Sequence, residues 1–84
     1  MFLTILLQAA AGSAIAKMGA AIAASIAVIG ASMGISRIGS SALESIASQP
    51  ESASDIRSGM LLAAALIEGV AMFAVIVCLL VLFV

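Results

Sequence analysis

The stretch Ala63-Ala64-Ala65-Leu66-Ile67-Glu68-Gly69-Val70-Ala71-Met72-Phe73 places one carboxylate inside a run that is otherwise uncharged from Met60 to Val84. An ionised carboxylate in hydrocarbon costs several kcal/mol even after snorkelling and water defects, so such residues face a bundle interior or an ion pathway. Burial disfavours the charged form, which leaves the group neutral in lipid and ionised when water or a cation reaches it. Glu68 is therefore a candidate for reversible protonation. The competing reading is a Glu that snorkels to the interface or is held permanently as a hydrogen-bonded acid. Eight apolar or small residues before it and sixteen after it argue against that.

Working outward, the whole chain has the composition of a membrane protein. Of its 84 residues 65% are hydrophobic and 8% charged, with a mean hydropathy of +1.42, against roughly 25% charged in a soluble domain. A membrane-crossing helix needs about 20 apolar residues, so this length allows two crossings. Three basic against four acidic residues, with no Trp, Tyr or His, provide no nucleic-acid surface, no metal-ligand set and no acyl-transfer constellation. Neither a cofactor nor an enzymatic activity of the chain by itself is expected. The single Cys78 cannot form an internal disulfide and reads as a packing residue. Met1 to Gln8 is apolar with no basic residue ahead of it, the wrong charge order for a secretion signal, and is expected to extend the first helix into the interface.

The expected architecture is all-α: one two-helix transmembrane hairpin over residues 1–84. Helix 1 spans about 9–45 with a cytoplasmic extension, a polar loop occupies 46–54, and helix 2 covers 55–84. In helix 1 the small residues fall into two stripes. Gly19, Ala23, Ala27, Gly30 and Gly34 follow helical steps on one side; Ala21, Ser25, Ser32 and Ser36 occupy nearly the opposite side, broken by Val28. One such stripe suits a dimer, whereas two suit a tight neighbour on each side and so a closed homo-oligomeric ring. Gly30, Ser32, Gly34 and Ser36 are the expected ring-packing positions. Pro50 stops the helix leaving the membrane, and Glu51 and Asp55 sit where negative charge suits the start of the next one. The second half of helix 2, Met72 to Val84, carries large apolar side chains for lipid. Reflecting Glu68 through the turn reaches the region of Ile35, which has no side-chain oxygen; this favours H⁺ over Na⁺, since sodium needs several oxygen ligands.

Three segments in order resemble the c subunits (proteolipids) that form the membrane ring of rotary F-type ATP synthases. Gly30-Ala31-Ser32-Met33-Gly34-Ile35-Ser36 resembles the family's glycine-rich helix 1, Glu44 to Pro50 its polar loop, and Ala64-Leu66-Ile67-Glu68-Gly69-Val70-Ala71 its carboxylate segment. The resemblance covers about Lys17 to Val84. It implies that Glu68 exchanges protons with a stator a subunit carrying an arginine. It implies too that Gln49, Pro50 and Glu51 meet the gamma and epsilon subunits of a central stalk, and that ring rotation couples proton flow to ATP synthesis. The chain departs from the family pattern at Ser48, where an arginine is usual, and at Ser32 and Ser36, which replace glycines. A sodium-coupled ring is one alternative and a self-assembling holin-like pore another, although a pore should line its lumen with several polar positions and helix 2 has one. Arg37 and Arg57 flank the loop against Lys17 near the other face, so the positive-inside rule puts the loop in the cytoplasm and both termini outside a bacterial inner membrane.

Overall fold

No proline interrupts Phe2–Ser48, and in the computed structural model, which describes residues 1–84, this span is one continuous α-helix of 47 residues, α1. Gln49 leaves the helical region at φ −133°, ψ 72°, as steric pressure from the following proline requires. Its N–H still donates to the Ser45 carbonyl at 2.8 Å. Pro50–Ser52 makes a single 3₁₀ turn, and α2 follows at once over Ala53–Val81, 29 residues. The chain is thus an antiparallel helical hairpin, as its sequence suggested. The helix starts at Phe2, so that Met1 to Gln8 extends it as expected, since nothing there breaks it. The boundaries differ from expectation at two points. The polar loop contracts from 46–54 to Gln49–Ser52, because one proline and one non-helical residue suffice for the reversal. At the other end α2 stops at Val81, and Leu82 to Val84 form a turn.

The two helices differ in length. At about 1.5 Å per residue α1 is roughly 70 Å long and α2 roughly 43 Å, and the hairpin extends 73 Å along its main axis. The C-terminal end of α2, with Val77 and Val81, and Val84 beyond it lie beside Ala9, Ser13 and Ala16. Met1 to Gln8 therefore overhangs the end of α2. Both helices are long and apolar enough to cross a membrane. Of 75 backbone hydrogen bonds 70 lie within the helices, which meets the demand of hydrocarbon that backbone groups be satisfied internally.

The seam between the helices is built from small side chains. Ala20, Ala24, Ala27, Ala31, Gly34 and Ala42 turn toward α2, and Met60, Ala64, Ile67, Ala71, Val75 and Cys78 toward α1. Only Ala20 and Ala42 are buried, each 8% exposed. A hairpin with so little interior cannot supply its own hydrophobic core, and lipid or further copies must cover the rest. The two stripes expected on opposite sides of α1 prove to be its two flanks. Gly19, Ala23 and Gly30 are exposed on one and Ala21, Ser25, Ser32 and Ser36 on the other, while Ala27 and Gly34 belong to the seam. Within one chain Gly34 serves the seam: a Cβ there would stand 3.2 Å from the Ile67 Cδ1, whereas nothing lies within 4 Å of a Cβ at Gly30. The side of α1 away from α2 carries large residues, among them Ile22, Ile26, Ile29 and Met33, all more than half exposed.

Leucine at position 34 must push the helices apart at Ile67, at an overpacking cost of about 1–3 kcal/mol. Gly34→Leu is expected to weaken helix–helix association in SDS titrations of the solubilised hairpin, and Ile67→Ala in the same chain to restore most of it. No recovery in the double variant would show that the two residues do not meet.

Candidate ion-binding site

Glu68 sits one residue past the seam residue Ile67, which rotates it by about 100° onto a flank of the hairpin. It is exposed in the single chain. Ala64 and Ala71, one turn to either side, are half-buried against α1, so the carboxyl lies at the edge of the seam with small neighbours and open approach. The only side-chain hydrogen bonds in the chain run from Ser25 Oγ to the Ala21 carbonyl at 2.9 Å and from Ser48 Oγ to the Glu44 carbonyl at 3.1 Å. Glu68 therefore has no partner in its own chain, and the reading of a permanently bonded acid finds no support within one copy.

Height along the hairpin is set by the Gly34–Ile67 contact. In antiparallel helices each step forward on one is a step back on the other, so Glu68 stands level with Met33. The expected opposite, Ile35, lies two residues nearer the loop, about 3 Å. Ile35 is half-buried on the Glu68 flank and offers only hydrocarbon. The residue that sequence reasoning missed in this role is Ser32. It is exposed on the flank that bears Glu68 and is one residue from its height. The i, i+7 relation of Ser25 and Ser32 carries the signal, although from sequence it suggests only close packing.

The opposite flank carries an apolar groove of about 500 Å³, where Gly30 and Ala27 of α1 meet Leu66 and Val70 of α2. Gly30, Ser32 and Ser36 are thus divided between the flanks, with Gly30 facing one way and the serines the other. Gln49, Pro50 and Glu51 are all exposed at the tip of the turn, brought together with one another but far from Glu68. The chain has no cluster of three or more His, Cys, Asp or Glu side chains. Cys78 is free and half-buried in the seam.

A small-flanked hairpin with one unpartnered mid-span carboxylate has clear relatives. The family model for the C subunit of ATP synthase matches residues 18–81. The ATP synthase c subunit of Phocaeicola vulgatus is 60% identical over 83 residues, covering 99% of both chains. That of Bacteroides thetaiotaomicron is 62% identical over 84 residues at the same coverage, and that of Ruminiclostridium cellulolyticum 47% over 73 residues, covering 87% of this chain and 95% of its own. The chain belongs to the family of ATP synthase c subunits, whose hairpins form the rotor ring of F-type ATP synthases.

Proposed function

We propose that the ion carried by this rotor subunit is H⁺ and that Glu68 is the residue that binds it. The observation that carries this reading is the surroundings of Glu68: Ile35, Gly69 and Val70 contribute no side-chain oxygen, and Ser32 adds only one hydroxyl, too few for a sodium shell. A carboxyl in such a setting binds a proton with no other ligand. The reading of a holin-like pore is set aside by the family to which the chain belongs.

The chain is an integral membrane component of a bacterial plasma-membrane ATP synthase. In the proposed cycle the subunit makes and breaks no covalent bond other than that of the Glu68 proton. A stator a subunit delivers the proton from one side and accepts it on the other, and an arginine there holds the ionised carboxylate while it is bare. Between these events Glu68 travels neutral against lipid. An acid ionised in the helix centre costs about 3 kcal/mol on insertion scales, a bias of roughly a hundredfold against leaving the stator charged. That bias makes rotation follow protonation. The two helices suit different radii: small flanks let α1 copies approach closely, while Leu61, Leu66, Met72 and Leu79 on α2, all at least half exposed, need wider spacing. Placing α1 inside and α2 outside puts Glu68 within reach of the stator. Arg37 and Arg57 beside the turn, against Lys17 toward the far end, favour a cytoplasmic loop with both termini outside. Gln49, Pro50 and Glu51 then face the gamma and epsilon subunits of the central stalk.

A neutral acid is the species attacked by hydrophobic carbodiimides, so labelling should fall on Glu68 alone, decline as pH rises and be indifferent to sodium. Glu68→Gln should assemble and carry no proton flux in reconstituted vesicles. Protection by millimolar sodium at constant pH would replace H⁺ with Na⁺, and residual flux in Glu68→Gln would move the site elsewhere.

A Cβ at position 30 has nothing within 4 Å in its own chain, and a leucine there fills the flank needed by a neighbour. Gly30→Leu, and Ser32→Leu on the other flank, should therefore give inserted hairpins without SDS-resistant rings, and rings of normal size from both would undo the flank assignment. At the turn, Glu51→Lys should leave the ring intact and reduce co-purification of the stalk several-fold through like-charge or lost-charge contact; unchanged co-purification would place the stalk contact on other loop residues.

A further inference from the structure

The 47 residues of α1 make roughly 70 Å of helix in a hairpin 73 Å long, so the helix is straight and its faces can be followed from end to end. Eighteen residues close about five turns, and each position therefore repeats the face of the one eighteen further on. Phe2 and Leu6 continue the seam stripe of Ala20 and Ala24, but α2 ends at Val81 and leaves them uncovered. Met1 and Ile5 continue the flank of Gly19 and Ala23. Leu3 and Leu7 continue the other flank, that of Ala21 and Ser25. Thr4 and Gln8, the only polar side chains of the segment, continue the back formed by Ile22 and Ile26. Met1 is held in the helical path by the Ile5 N–H, which donates to its carbonyl at 3.0 Å. The faces thus change character at this end. Flanks of Gly, Ala and Ser beside α2 become large and apolar, and a back of isoleucine becomes polar. Met1, Leu3, Ile5 and Leu7 are all more than half exposed in the single chain.

In a ring all copies cross the membrane in the same sense, so each α1 meets the next flank to opposite flank and at the same height. Because α1 is unbroken from Phe2, its first two turns follow the rest into the circle and present their flanks to the adjacent copies. We propose that Leu3 and Leu7 of one protomer interdigitate with Met1 and Ile5 of the next, closing an apolar collar at the terminal end of the ring. The occupant of each flank is a second copy of the chain, because the surface continues the one along which neighbouring α1 helices meet. Heights agree: Leu3 stands midway between Met1 and Ile5, and Leu7 about 3 Å from the level of Ile5. Helices that touch through small residues approach to about 8 Å and through large ones to about 10 Å, so the α1 circle must widen here. The space beyond the end of α2 lets it do so, and Thr4 and Gln8 then line the widened mouth. The collar supplies what the small flanks lack. Stripes of Gly, Ala and Ser permit close approach but resist sliding weakly, whereas a leucine seated between two large side chains fixes its neighbour in height. A slip of one helical turn would move Glu68 by about 5.4 Å, so the collar holds every carboxyl at one depth.

This inference rests on the ring reading with α1 on the inner circle, and the experiment separates the two. Cys78, the only cysteine, is first replaced by alanine. In that chain Leu3→Cys/Ile5→Cys puts one thiol on each flank within the collar, and Gly19→Cys/Ala21→Cys does the same beside α2. Oxidation of membranes with copper phenanthroline is expected to give SDS-stable ladders up to the full ring from both double variants. The single variants Leu3→Cys and Ile5→Cys, with thiols on one flank only, should stay monomeric on the gel. Leu3→Ser/Leu7→Ser should lower the yield of SDS-resistant ring several-fold, and Phe2→Ser/Leu6→Ser, on the face that looks away from the neighbours, should leave it unchanged. No ladder from Leu3→Cys/Ile5→Cys beside a full one from the lower pair would overturn the collar. So would serine variants that behave alike, since lipid rather than a neighbour would then cover the segment. Failure of both ladders, with the unaltered chain extracted as a monomer, would instead overturn the ring.

Discussion

An ionised carboxylate in hydrocarbon costs more than any single contact in this hairpin contributes, and the placement of both helices can be understood from that inequality. In the proposed cycle Glu68 needs small neighbours so that a proton donor can approach, and Ala64 and Ala71 provide them. It needs to lie off the seam, because a carboxyl locked between α1 and α2 could not exchange with an outside partner. It also needs a rigid support, and the close meeting of Gly34 with Ile67, one residue away, provides it. The glycine therefore serves the acid indirectly, by letting α2 settle deep enough for Glu68 to stand at a defined height and flank.

Much of this was legible in the sequence. Two apolar runs about one proline specify a hairpin, and one acid in a charge-free run singles itself out without any structural information. What the residues did not disclose was the rotation of α1 about its own axis. Between Ala9 and Ala31 alanine occurs on almost every side of the helix, so periodicity alone cannot say which alanines face α2. Glycine and serine stand out in such a run, whereas Ala20, Ala24 and Ala31 do not, and the close approach of Gly34 to Ile67 is not visible in the pattern. The offset at Ile35 is one of register: the Gly34–Ile67 contact pairs positions that sum to 101, which puts Met33 rather than Ile35 at the height of Glu68.

The two flanks of the hairpin are chemically unlike, and this matters more for assembly than the smallness that they share. One carries Gly30 and Arg37, the other Ser25, Ser32, Arg57 and Glu68. Identical flanks would permit two copies to meet face to face about a two-fold axis and stop at a dimer. Unlike flanks favour head-to-tail contact, which continues until it closes. The serine hydroxyl at position 25 turns back to its own helix, so that flank can be small without presenting an unsatisfied donor to a neighbour.

The back of α1 is its least polar side, a row of Ile22, Ile26, Ile29 and Met33 facing away from α2. With α1 on the inner circle, that row lines about 17 Å of the central opening. Water is expelled from so apolar a bore, and acyl chains are its natural filling. The centre of the rotor is then as good an insulator as the surrounding bilayer, where each elementary charge moved across 100 mV represents about 2.3 kcal/mol. In the proposed arrangement current crosses at the circumference, one carboxyl at a time, and the voltage stored across the membrane is not lost through the hole in the wheel.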